Sequence, residues 1–504
     1  MKQISLAIIF ICCVILAQSQ GKKNTDNYVL ITPADTEASI IQKAANVKPT
    51  TRQLRWQKLE LTAFFHFGIN TFTDKEWGEG KEDPALFNPT ELGAKQWVRT
   101  VKEAGIQQVI LTAKHHDGFC LWPSAYTEHS VKNSPWKNGK GDVVKEVAEA
   151  CKLYGIGFGV YLSPWDRNAS FYGDSPKYNA YFMNQLTELL SNYGRVDEVW
   201  FDGANGEGPN GKKQVYDFNA WYALIRRLQP SATIAIMGPD VRWVGTESGY
   251  GRETEWSVVP ADNISQEKIA AGSQTDVAFK PDIDMMADDL GSRNKITKAK
   301  ALVWYPAETD VSIRPGWFYH SKEDNEVKSP ETLLDIYFSS VGRNSVLLLN
   351  IPPDKRGLIQ ENDATNLKAW KEKRDAIFTN NLIKQAKLSA NKGKNITALA
   401  DGKYDTYFTT SPKDTAVTIS ITFTQPQTFD VLSLQENIAV GQRVERFALE
   451  YKDGDTWKTA TEGTTIGYKR LLRFTPVQSK ETRLKIIASR LNPALSEIGL
   501  YKQP

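Results

Sequence analysis

The chain has 504 residues, with 62 Lys and Arg set against 59 Asp and Glu, a formal charge of +3, and 41% hydrophobic residues. That length accommodates a large catalytic domain with an appended module, and its interspersed charges lack the basic stripe of a nucleic-acid-binding protein, so no nucleic acid partner is expected. Four cysteines in a chain of this size exclude a disulfide-stapled scaffold.

Residues 1–19 read as a signal peptide: Lys2 charges the n-region, Ile4 to Leu16 form the apolar core, and Ala17-Gln18-Ser19 supply small residues for cleavage. The apolar run is shorter than the roughly 20 residues of a spanning helix. Removal therefore leaves no expected membrane-spanning segment, and the chain is expected to be exported, to a periplasm or, as the alternative, secreted outright. Cys120 and Cys151 then remain, either paired or as buried thiols.

From 28 to 355 short apolar runs alternate with amphipathic stretches, the pattern of parallel strands joined by crossover helices. Leu61 to Phe67, Gln108 to Ala113, Gly157 to Ser163, Asp197 to Phe201, Thr233 to Met237, Ala301 to Tyr305 and Val346 to Ile351 read as buried strands. Helices are predicted at Leu92 to Ala104, Val143 to Tyr154, Asn179 to Tyr193 and Phe218 to Leu228, several ending near Gly. The count falls one short of a (β/α)8-like barrel, the predicted α/β architecture, whose chemistry collects beyond the strand C-termini. His66, His115-His116-Asp117, Trp165-Asp166 and Asp202 follow the first four runs in that position.

A linker with a helical segment covers 356–380, centred on Asn366 to Ile377. Residues 381–504 read as a C-terminal all-β sandwich, with alternating runs at Val417 to Phe423, Val431 to Leu434, Arg446 to Lys452, Leu471 to Phe474 and Thr482 to Ala488.

Asp202 closes the run Val199-Trp200-Phe201 and precedes Gly203, a placement that fits either a nucleophilic carboxylate or a turn-forming Asp. Its neighbours carry more information. HFG at 66–68, KHHDGFCLWPS at 114–124, YLSPWDR at 161–167 and EVWFDG at 198–203 resemble the glycoside hydrolases of family 29, the α-L-fucosidases. The resemblance continues in order through RWVGTESG at 242–249, TEW at 254–256, GWFYH at 316–320 and GRNSVLLLNIPPDKRG at 342–357.

The resemblance implies a retaining double displacement on fucosylated oligosaccharides or glycoconjugates, with Asp202 as nucleophile and no cofactor required. Such chemistry needs a second carboxyl group to protonate the leaving oxygen and then activate water. Glu247, in a Gly-flanked stretch beyond the fifth predicted strand, resembles the acid/base of the subfamily that cleaves α-1,3/1,4 linkages in Lewis-type glycans, with Glu253, Glu255 and Glu308 as rivals. Competing expectations are a broader fucosidase acting on aryl, α-1,2 or α-1,6 fucosides, and a non-catalytic fucose-binding protein.

His66, His115 and His116 are candidates for hydrogen bonds to sugar hydroxyls, because neutral imidazole both gives and accepts. A metal at the His pair is not expected: adjacent strand residues point to opposite faces and no helical His spacing accompanies them. Glu76, Tyr161 and Asp166 are further polar candidates, and Trp77, Trp165, Trp200 and Trp317 are candidate walls for the apolar edge of a 6-deoxy sugar. The β-rich tail resembles the discoidin or coagulation-factor C-type fold, with Phe408 where that pattern usually has Trp. Some members of that fold hold calcium, and Asp401 and Asp405 are the candidate ligands for such a structural ion.

Overall fold

The computed structural model describes residues 25–261 and 288–504, so the segment read as a signal peptide lies outside the described residues. Among the described residues no helix is long and apolar enough to cross a membrane.

Eight parallel strands build a nearly closed barrel: β1 (Leu61–Phe65), β2 (Gln108–Lys114), β3 (Gly157–Leu162), β4 (Glu198–Phe201), β5 (Thr233–Ile236), β6 (Arg242–Trp243), β7 (Ala307–Ser312) and β8 (Ser345–Asn350). The ladder runs β5-β4-β3-β2-β1-β8-β7-β6, leaving β5 and β6 as its two edges. Side-chain alternation sorts each strand between two cores. Phe64, Ile110, Tyr161, Trp200, Ala235, Val346 and Leu348 fill the barrel interior. Phe65, Val109, Leu111, Val160, Val199, Phe201 and Ile234 face outward, into the layer shared with the helices.

The helices between the strands carry their own start and stop signals. Asp142 caps Val143–Tyr154 by accepting from the Lys145 amide, and Gly155 ends that helix at φ 69°. Asp217 caps Phe218–Leu228 in the same way through the Ala220 amide. The charged helix Glu361–Phe378 buries Leu367, Trp370 and Ile377.

Two of the barrel strands differ from the sequence reading. Ala301–Trp304 is not a barrel strand; it is the centre of a small antiparallel sheet with Tyr28–Leu30 and Val258–Pro260. Its place in the barrel is taken by β7, which carries Glu308, Thr309 and Asp310 and was not predicted as a strand, and by the two-residue β6. An apolar run reports burial without saying in which sheet.

The C-terminal domain is antiparallel, organised by two 20-residue strands, Val417–Glu436 and Arg470–Ser489, that pair with each other. Its core gathers Ile419, Ile421, Phe429, Leu434, Phe447, Leu484 and Ile498. Val431, Leu471 and Tyr501 instead join the core of the barrel layer, so the two domains share apolar packing. Cys120 and Cys151 are both buried and free, which settles their state as thiols.

Candidate active site

Alternation along the strands decides which groups meet above the barrel. On β4, Trp200 points in and Phe201 out, so the next residue, Asp202, points into the mouth. Its Oδ1 accepts from the Ala204 amide at 2.7 Å, and its Oδ2 accepts from the Tyr161 hydroxyl at 3.3 Å. The carboxylate keeps 31% of its side-chain surface exposed, with His116 Nε2 3.8 Å from Oδ2.

A register shift between Thr112 and Lys114 changes the phase of β2. Lys114 then turns outward to Asp166 (2.8 Å) and Gln185 (2.9 Å), and the chain beyond it delivers both histidines to the pocket. The His115 and His116 rings lie 4.1 Å apart at 35°, not on opposite faces as simple strand alternation implies. Among the described residues no group of His, Cys, Asp and Glu could hold a metal.

Each imidazole is neutral and oriented by a partner. Burial pushes His66 down to about 3, drives His115 well below its usual value, and lowers His116 against the pull of Asp202. Asn350 donates its amide to Ser312 Oγ and the Trp317 carbonyl, so its oxygen accepts from His66 Nδ1 at 2.8 Å and His66 Nε2 is left as an acceptor. Ser163 gives its proton to the Trp165 carbonyl and therefore accepts from His116 Nδ1 at 2.7 Å, making His116 Nε2 an acceptor too. His115 Nδ1 accepts from Asn70 at 3.4 Å, which puts its proton on Nε2. An acceptor, donor, acceptor array results, suited to a polyhydroxylated ligand.

Glu247 lies in the stretch 244–249 that follows β6, tied to β7 at both ends by Val244 N–H to the Glu308 carbonyl (2.8 Å) and Gly249 N–H to the Asp310 carbonyl (3.0 Å). Its Oε2 accepts from Trp317 Nε1 at 3.2 Å. The residue is exposed at the rim, yet partial desolvation of its carboxyl raises its pKa above the usual Glu value against the Trp317 hydrogen bond, with the Asp202 and Glu76 carboxylates adding to the rise. The rivals are otherwise engaged. Glu253 is bound by Arg343 and Arg470, and both oxygens of buried Glu255 are taken by Arg242 and Arg252. Glu308 is fully buried inside the barrel, accepting from Trp200 Nε1 at 2.8 Å.

Two candidate sugar ligands are placed differently from the sequence expectation. Asp166 is buried, and its oxygens are consumed by Lys114 and by the amides of Asn168 and Ala169. Trp200 lies in the barrel interior, 5.1 Å from the Tyr161 ring and 4.9 Å from Phe64, as a support beneath the mouth. Glu76 accepts from the backbone amides of Trp317 (2.9 Å) and Phe318 (3.0 Å) and so holds that loop in place. Trp317 lies 5.1 Å from His66 with the rings tilted at 45°, and Trp77, 45% exposed, stands edge-on to His116 and Trp165 at the rim. Asn350, Ser163 and Asn70, which fix the imidazoles, were not singled out from the sequence. Asn350 carries the same signal as Asp202, a polar residue closing an apolar strand.

Comparisons with known proteins show the family of the chain. The α-L-fucosidase family model matches residues 38–372, and a model of the F5/8 type C domain matches 383–497. The chain belongs to the family 29 glycoside hydrolases, the α-L-fucosidases. α-L-fucosidase 1 of Arabidopsis thaliana is 44% identical over 467 residues, covering 90% of this chain and 87% of that protein. A crystal structure of a putative α-L-fucosidase from Bacteroides ovatus superposes with a TM-score of 0.83 at 53% identity, covering 95% of this chain and 78% of that one. A family 29 fucosidase from Ruminococcus gnavus, solved in complex with fucose, gives a TM-score of 0.80 at 32% identity, covering 95% and 98%. In this α-L-fucosidase the second domain is thus an F5/8 type C module. Its Asp401 holds Lys403 N–H (2.8 Å) and Thr406 Oγ1 (2.7 Å), while Asp405 pairs with Lys58 of the barrel at 3.1 Å.

Proposed function

We propose that this α-L-fucosidase is a retaining exo-enzyme that releases α-1,3/1,4-linked fucose from branched, Lewis-type glycans, with Asp202 as nucleophile and Glu247 as acid/base. The observation that carries the mechanism is the contrast between two carboxyl groups at one mouth. Asp202 is half-buried and fixed by an amide and a phenol, whereas Glu247 stands exposed on a loop, accepts from the Trp317 indole and has a raised pKa.

In the first step Asp202 attacks the anomeric carbon as the glycosidic C–O bond breaks, and the leaving oxygen takes the Glu247 proton. In the second step Glu247 takes a proton from water, the water oxygen bonds to the anomeric carbon, and the ester to Asp202 breaks. Two inversions give net retention. The Ala204 amide holds Oδ1 and the Tyr161 hydroxyl holds Oδ2, so both fix the carboxylate's orientation for attack. The neutral His66, His115 and His116 read the hydroxyls, and Trp77 and Trp317 supply apolar walls. This chemistry requires no cofactor.

The linkage reading rests on the position of Glu247, which resembles that of the α-1,3/1,4 subfamily. Comparing kcat/KM for a Lewis trisaccharide and an aryl fucoside tests it: efficient trisaccharide cleavage is expected, and aryl turnover without trisaccharide turnover contradicts it. Asp202→Asn is expected to abolish hydrolysis while holding fucose affinity within about tenfold, since the hydroxyl contacts lie elsewhere. Full activity in that variant overturns the mechanism.

A further inference from the structure

The GWFYH segment ends in His320, a residue with no part in the scheme above. His320 is buried in the loop after β7, and each ring nitrogen meets a carboxylate of the loop after β1. Nδ1 is 2.6 Å from Asp74 Oδ1, and Nε2 is 2.7 Å from Glu76 Oε1. A neutral imidazole has one N–H and one lone pair, so it satisfies one of these contacts and sets a lone pair against the other carboxylate. Only the imidazolium donates to both.

The contacts continue from this staple to the acid/base. Glu76, held by His320, accepts from the amides of Trp317 and Phe318, and the Trp317 indole donates to Glu247 at 3.2 Å. Gly316 lets the loop close on this cluster, because a Cβ there would meet Glu76 Oε1 at 2.6 Å and His320 Cδ2 at 3.0 Å.

We propose that His320 is a positioning residue, an imidazolium that staples the β1 and β7 loops through Asp74 and Glu76 and thereby holds Trp317 where it orients Glu247. The proposal rests on the reading of Glu247 as the acid/base. Charged groups acting on the ring are Asp74, Glu76 and Glu323, and Lys322 and Lys355 act on Asp74. Burial disfavours the imidazolium, but its hydrogen bonds to Asp74 and Glu76 outweigh this, and the His320 pKa is raised. A raised value in the folded state means that the staple is complete below the ordinary His range and is lost as pH rises through the shifted value.

The test uses the full chain. With ¹⁵N-labelled histidine, the wild type at pH 7 is expected to show both His320 ring nitrogens protonated, and Asp74→Asn is expected to lower the pH of that titration. A single protonated nitrogen at pH 7 overturns the proposal. Kinetically, Asp74→Asn and His320→Gln are expected to lower kcat about tenfold on fucosides with poor leaving groups and little on fucosyl fluoride, which needs no proton. Losses independent of the leaving group overturn it. Glu247→Ala with added azide serves as the control. If azide fails to rescue cleavage of an activated fucoside by that variant, the acid/base reading fails. Normal rescue alongside leaving-group-independent losses in the other variants sinks the staple alone.

Discussion

Asp202 and Glu247 share a functional group and differ in medium, and that difference has a pH signature. Because partial desolvation and the neighbouring Asp202 and Glu76 raise the Glu247 pKa, the acid stays protonated above the ordinary Glu range and is lost as pH rises through the shifted value. The alkaline limb of kcat/KM on natural glycans is therefore expected above the usual Glu value. A limb at that usual value contradicts the assignment. Asp166 is expected to behave as a structural residue: Asp166→Ala leaves the Lys114 ammonium buried without its partner, at a cost of about 3–5 kcal/mol, read as a fall in Tm. Asp202 and the histidines were legible in the sequence because they close apolar strands at the barrel's C-terminal face. Asp166 occupies a similar place, and only the register shift in β2, invisible to periodicity, shows that it answers Lys114 rather than the sugar.

The stretch 244–249 after β6 carries the proposed acid/base, and its geometry depends on Gly249. That residue has φ +77°, and a Cβ there would lie 2.9 Å from Val311 and Ile336. Gly249→Ala is expected to cost about 1 kcal/mol or more of stability and to lower kcat through displacement of Glu247, while fucose binding by the histidines persists. Equal losses in kcat and fucose affinity would show that the loop does more than carry the acid. Among the elements, the predicted helix Val143 to Tyr154 matches its observed bounds because Asp142 and Gly155 mark both ends. Strand β7 was not legible, because its inward positions are acids: Glu308 and Asp310 are buried and strongly shifted toward their neutral forms. A strand that buries carboxyl groups looks like a loop until its partners are known.

At the scale of the whole chain, the two domains are joined by buried polar contacts as well as shared core. Gln442 donates to the Glu255 carbonyl at 2.9 Å and accepts from the Ser257 amide at 2.7 Å, and Arg490 stacks 3.4 Å over Trp256. Glu255 in turn holds Arg242 of β6, so the interface supports the barrel edge that leads to Glu247. A chain ending at 380 exposes these groups and is expected to lose solubility or to unfold well below the intact protein in calorimetry. An unchanged Tm for that truncation contradicts the coupling. The change from alternating α/β texture to short strands made both domains legible in the sequence, but their shared surface was not, since it is built from isolated residues such as Gln442 and Asn344. The proposed mechanism centres on one covalent event at Asp202. Trapping with a 2-deoxy-2-fluoro-fucosyl fluoride followed by peptide mass spectrometry tests it most directly: one fluorofucosyl unit on the peptide bearing Asp202 is predicted, and labelling of any other carboxylate would contradict the account.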